Sequence, residues 1–416
     1  MRLWIQGLLL VAAWAIQAQA ADNWTNWRGP GQTGVAGKGE YPLRWSSDEN
    51  VAWKVKLPGL GGSTPVVWDN RIFVTAGVDG ENLVIAYNRK GEELWRTPVG
   101  KERAGKHRKA TGSNPSPVTD GDSVFVYFKS GDFACLDMDG KPLWHVNLQD
   151  KFGEDTLWWD LGTSPILTQE HVVVACMHSG PSYLAAFDKK TGQSVWKQER
   201  NMDAPEEANQ SYSTPVVTMH DGKEMIVVVG ADHITGHDAK TGKQLWLVGG
   251  LNPTQNGYFR SISSPVVSDD IVIAPYARGS SLTAVRLGGQ GDVRDSHVVW
   301  ESEVISSDVP TPASKDGRVY VLADKGRVAC LDAKSGQVVT ELTLEKHRDA
   351  YSASPIIAGN HLYLIREDGK AFVVELGDEL KVVGENELGS FTVASPVFVD
   401  GQILIRTSEY LFCIGQ

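Results

Sequence analysis

A Ser or Thr placed one or two residues before a proline, and followed by an apolar run, recurs eight times along this chain, at Pro65, Pro117, Pro165, Pro215, Pro265, Pro312, Pro355 and Pro396. The intervals are 52, 48, 50, 50, 47, 43 and 41 residues. That is the length of one four-stranded propeller blade and too long for most helical solenoid repeats. Length alone would suggest two or three domains. The period overrules it and points to one closed, repetitive domain.

Each unit has the same internal order. The one opening at Pro117 holds a short apolar strand, an Asp-Gly turn, the alternating strand VFVYF, a Gly-Asp turn, the strand FACLD, a turn at Asp139-Gly140, and a last strand carrying Trp144. Period-two alternation bounded by Gly and Asp turns is a strand signature, and no segment sustains the 3.6 period of a helix. The expected fold is all-β: an eight-bladed β-propeller of four-stranded antiparallel blades.

The third turn and fourth strand repeat most strictly, in AFDKKTGQSVW ending at Trp196 and GHDAKTGKQLW ending at Trp246, with shorter versions ending at Trp95 and Trp144. Gly supplies a positive φ at the turn, and Trp offers a flat surface large enough to cover the neighbouring blade. Burying about 200 Å² of such a ring is worth, as an upper bound, about 5 kcal/mol of gross transfer energy. The pattern weakens later: Trp300 follows an expanded turn, Val339 or Thr340 replaces the tryptophan in the sixth unit, and the seventh has Val382-Val383. Weaker contacts are expected there.

After Pro396 only three strands remain before Gln416. The segment Asn50–Leu57, with Trp53, reads as an orphan fourth strand. Pairing it with the carboxy-terminal strands closes the ring and removes two exposed edges. The organisation that follows is a signal segment over 1–20, a leader over 21–50 that packs on the propeller, and the propeller over 51–416.

The first twenty residues read as an export signal: Arg2, an apolar stretch from Leu3 to Ile16, and Ala18-Gln19-Ala20 as a small-residue cleavage site. The apolar stretch is too short for a membrane span, and a periplasmic or secreted location follows. The four cysteines, Cys135, Cys176, Cys330 and Cys413, each sit in an apolar run at wide separation, the setting of buried free thiols rather than of disulfides. A net charge of −11 argues against nucleic acid, whose phosphates require a contiguous basic face.

The eleven-residue element and the Ser-Pro openings resemble repeats of the pyrroloquinoline-quinone (PQQ) type over residues 51–416. Such repeats build the eight-bladed quinoprotein dehydrogenases and non-enzymatic relatives such as the outer-membrane assembly lipoprotein of the β-barrel machinery. The leader Trp24-Thr25-Asn26-Trp27-Arg28-Gly29-Pro30 is similar to that of exported bacterial PQQ-like repeat proteins. The resemblance implies a fold and a location. For an enzyme it would also imply PQQ with calcium, a vicinal disulfide, and a Glu, Asn and Asp holding the ion. This chain has no adjacent cysteines and no Cys-x-x-Cys-His, and the calcium set matches no motif, so no cofactor is expected.

In a propeller the segment leading into each innermost strand lies at one mouth of the channel. Those segments bring together Trp158, Trp159, Asp160, Tyr212, Tyr258, Arg260, Asp308, Arg348 and Tyr351 as candidate ligand contacts, with Gly61-Gly62, His107, Lys109, Asn114, Gln210 and Phe391 beside them. Aromatic rings supply contact area and a few charges fix orientation. The basic run from Lys101 to Lys109 would attract an anion. His233 and His237 fall on strand and turn, where their spacing does not align two imidazoles, and no metal is expected. The first reading is a monomeric, non-catalytic envelope scaffold holding a protein, a peptide or a small ligand at the mouth. A second is a quinone-dependent dehydrogenase with Asp160 or Asp308 as base and Arg260 or Arg348 facing the ligand's carboxylates. A third is a carbohydrate stacked on the tryptophans.

Overall fold

The computed structural model describes residues 23–107 and 109–415; the signal segment expected over 1–20 lies outside the described residues. Eight antiparallel sheets stand in sequence order, and each expected unit forms one of them. Seven have four strands. The fourth, whose outer strand is Gln244–Val248, gains a fifth because Gly291–Asp292 adds parallel to it. That addition comes from the expanded turn before Trp300, which also makes the short helix Arg294–His297.

Closure is as expected. Val51–Lys56 pairs antiparallel with Tyr410–Ile414, with Trp53 opposite Cys413. The two ends of the propeller are thereby locked in one sheet, and Trp53 packs toward blade 1.

Four of the recurrent tryptophans bridge blades through one repeated geometry. The indole N–H of Trp53 donates to the Arg89 carbonyl (2.8 Å), Trp95 to Met138 (3.0 Å), Trp144 to Lys189 (2.8 Å) and Trp300 to Ala333 (2.9 Å), each in the third turn of the next blade. A glycine in that turn lies under the ring: a Cβ on Gly91, Gly140, Gly192 or Gly336 would come within 2.4–2.7 Å of the indole above it. These glycines also have positive φ. Trp300 thus makes the full contact despite its expanded turn, which corrects the expectation of a weaker one. Trp246 departs instead: its N–H faces Met225 Sδ of its own blade, in line with the extra strand that covers this edge.

All four cysteines are buried and none is paired. Burial pushes the thiols of Cys135, Cys176 and Cys413 up to about 12, so they are inert packing groups at neutral pH.

Candidate functional site

The Ser or Thr just before each marker proline has a role that its recurrence alone did not disclose. The backbone N–H of Thr64 donates to the Ser116 hydroxyl, Ser116 to Ser164, Ser164 to Thr214, Thr214 to Ser264, Ser264 to Thr311, Thr311 to Ser354, Ser354 to Ser395, and Ser395 back to Thr64, all at 2.8–3.2 Å. The eight bonds form a closed ring around the channel. Proline at the next position fixes φ and sends the chain into the innermost strand, while the hydroxyl satisfies a buried N–H of the preceding blade.

Below this ring the leader crosses the channel. Two residues past the marker prolines, the inner-edge N–H groups of Val67, Thr119, Ser314 and Ile357 donate to the carbonyls of Trp24, Thr25, Thr33 and Gly34, and that of Val217 donates to the Gln32 side chain. Innermost strands would otherwise leave these donors unpaired. Arg28 is buried at the centre, its Nη1 and Nη2 donating to the carbonyls of Pro355 (3.0 Å) and Pro312 (2.8 Å). Burial lowers its pKa to about 9. Trp27 lines the cavity above. The channel is therefore closed by the leader at one end and open at the other.

The open end holds a cavity of about 580 Å³. Each charged group on its wall is set by a partner. Arg260 lies between Asp308 (3.2 Å) and Glu207 (3.5 Å). Lys109 Nζ meets Glu367 at 2.6 Å. Asp160, fully buried, pairs with the buried Lys129 and also accepts the backbone N–H groups of Lys106 and His107. Its task is to pin the basic loop beside the mouth. Trp159 is fixed by its indole N–H on Glu207 (2.8 Å), its backbone N–H on the Tyr212 hydroxyl (3.1 Å) and an edge contact with His107.

Of the nine candidate residues, five line this cavity: Trp159, Asp160, Tyr212, Arg260 and Asp308. Trp158 and Tyr258 are outside it, exposed at 48% and 57%, on the same segments as Trp159 and Arg260. Arg348 points to solvent, with Asp349 as its ion-pair partner. Tyr351 is buried against Phe372; it is a packing residue rather than a mouth residue. His237, the other metal question, is buried, with one ring nitrogen on Thr235 and the other on Gly242, and burial lowers its pKa to about 4.

Two acids were missed, Asp324 and Glu367, both on the cavity wall. They lie in turns between the second and third strands. An antiparallel blade returns to the same face after two strands, so these turns share the mouth with the segments before each marker; that topological step is the signal that would have found them.

Asp324 accepts the N–H groups of Asp308 and Val309. Burial, and then the neighbouring charge of Asp308, raises its pKa to about 6. The folded chain therefore holds this proton more tightly than the unfolded chain does. As pH rises from about 4 to about 6 the unfolded state ionises first, so this group subtracts stability over that window and continues to do so above it. Asp324→Asn is expected to remove that loss: denaturant midpoints measured at pH 4, 5, 6 and 7 should shift in the variant's favour as pH rises. A constant difference across the series would assign the carboxyl an ordinary pKa.

Fold and mouth together define an eight-bladed PQQ-type propeller with a plugged channel and a single-ended cavity. The family model described as outer membrane protein assembly factor BamB matches residues 80–220, 209–379 and 291–408, and the chain belongs to this family. Among its relatives, the outer membrane protein assembly factor BamB of Yersinia pestis is 23% identical over 324 residues, covering 76% of each chain. That of Burkholderia pseudomallei is 23% identical over 368 residues, covering 78% of this chain and 87% of the relative. The crystal structure of BamB from Moraxella catarrhalis aligns with a TM-score of 0.63 at 15% identity, covering 88% of this chain and 97% of that one. A europium-containing methanol dehydrogenase aligns at 0.72 with 11% identity, covering 95% and 98%. For these two structures, identities of 15% and 11% show a common fold and no more.

Proposed function

We propose that this protein is a non-catalytic, monomeric scaffold of the cell envelope that holds a polypeptide partner at the open mouth of its channel. The observation that carries the reading is the pairing of exposed aromatic residues, Trp158, Trp159 and Tyr258, with a deep cavity whose cations, Lys109 and Arg260, are already paired with carboxylates. Exposed rings beside a pocket are what a protein contact uses as anchors. The relatives' name, outer membrane protein assembly factor, supports a partner among envelope proteins. Export by the amino-terminal signal and a periplasmic location belong to the same reading.

Trp158→Ala and Tyr258→Ala are expected to leave stability within about 0.5 kcal/mol, because both rings are exposed. Together they should weaken capture of envelope proteins by at least about tenfold, as loss of aromatic anchors does. Capture unchanged in the double variant would move the contact elsewhere on the propeller.

The dehydrogenase reading has less support. Asp160 and Asp308, its candidate bases, are committed to Lys129 and Arg260, and the cysteines lie in separate blades, so the residues present do not fit the quinone site that the resemblance implies. Incubation with PQQ and calcium followed by desalting is expected to leave no quinone absorbance on the protein.

A further inference from the structure

A second cavity, of about 450 Å³, opens beside the first and shares Gly62, His107 and Lys109 with it. Arg406, at the end of the strand Gln402–Arg406, lies on its wall. This side chain is 1% exposed. Its Nη1 donates to the carbonyl and hydroxyl oxygens of Ser63. Its Nε and Nη2 are buried without an acceptor, and among the described residues no carboxylate stands within ion-pair distance of it.

The other charged side chains on this wall are engaged elsewhere. Lys109 is held by Glu367, and Lys106 Nζ donates to the Leu157 carbonyl. Glu102 is folded over Gly77. Gly61 brings the backbone against the guanidinium: a Cβ there would fall 2.1 Å from Nη2, so any larger residue would displace it. Nε and Nη2 are also the two donors on one edge of the guanidinium plane. Their parallel N–H bonds match the two oxygens of a carboxylate. Leaving such donors buried and unpaired costs more than a hydrogen bond returns, and an entering anion removes that cost.

We propose that this side cavity is a carboxylate site in which Arg406 receives, through Nε and Nη2, the carboxylate of a polypeptide bound at the mouth. The inference rests on the reading of the mouth as a polypeptide site and adds the chemistry by which the partner is recognised. The carboxylate comes from a chain terminus or from an Asp or Glu side chain.

Calorimetric titration of the full mature chain with three probes separates the sources: acetyl-Ala-Ala-Phe with a free carboxyl terminus, its carboxamide, and the carboxamide of acetyl-Ala-Glu-Phe. At least one acid is expected to bind about tenfold or more tighter than the neutral carboxamide, and the one that does names the source. Arg406→Gln should abolish the difference. Because that change touches a buried group, Ser408→Glu is the second variant: Ser408 lies on the same wall, and a carboxylate there should exclude the acid probes while the fold persists. Equal affinity for all three probes, or acid binding unaffected by both variants, overturns the carboxylate site. Failure of every probe while envelope protein is still captured through Trp158 and Tyr258 overturns the site and leaves the scaffold reading standing. Acid binding on Arg406 without any captured protein supports the site and overturns the scaffold reading.

Discussion

Asp160→Asn is expected to destabilise the propeller by about 3–5 kcal/mol, the cost of leaving one partner of a buried ion pair uncompensated. Lys129 is 4% exposed at its side chain and Asp160 is fully buried. Removing the negative charge strands an ammonium whose remaining acceptor is the Ala104 carbonyl. The same change weakens the two backbone donors from Lys106 and His107, so the basic loop should loosen as stability falls. Urea denaturation gives the first quantity, and amide exchange over residues 103–111 gives the second. Replacing both partners together, Lys129→Met with Asp160→Leu, is expected to recover most of the loss in stability, because an apolar pair of similar volume needs no compensation. The loop should remain loose in that double variant, since its amide acceptor is gone. A loss below about 1 kcal/mol for the single change would mean that water, rather than Asp160, holds the lysine.

The same pair separates what the sequence makes legible from what only the packing of blades determines. Trp158-Trp159-Asp160 is an aromatic and acidic cluster before a marker proline, and its position at the mouth is legible because every blade opens the same way. The partner of Asp160 is not. Lys129 lies in the turn after VFVYF, and its burial depends on how two blades meet. Periodicity exposes what the blades repeat: the marker hydroxyls recur at all eight interfaces, and the turn glycines and cross-blade tryptophans recur at those that share one docking geometry. What occurs once leaves no period. Arg28 in the channel, the extra strand on blade 4 and Tyr351 in the packing between blades belong to this second kind. Asp324 and Glu367 lie between the two, since topology would have placed them although no motif did.

The seventh blade shows how a broken repeat is mended from outside it. In the register where other blades carry tryptophan, opposite the middle of the third strand, blade 7 has Gly384 opposite Val373. The leader supplies the missing ring. Trp45 stacks on Tyr363 with centroids 6.3 Å apart and planes inclined by 16°, and it is 5% exposed. Its backbone N–H donates to Asn386 (2.7 Å), whose own amide donates to the Leu43 carbonyl (3.2 Å). The absence of a side chain at 384 is what admits the leader, for a Cβ there would meet the Leu43 carbonyl at 2.3 Å. Trp45→Ala is therefore expected to cost about 3–5 kcal/mol, the range for truncating a buried aromatic residue, against a near-zero effect at the exposed Trp158. Gly384→Ala should destabilise through the same contact by pushing the leader off, and the two changes combined should cost less than their sum because they remove one interaction. Additive losses in denaturant titrations would show that Trp45 and Gly384 act on separate parts of the fold.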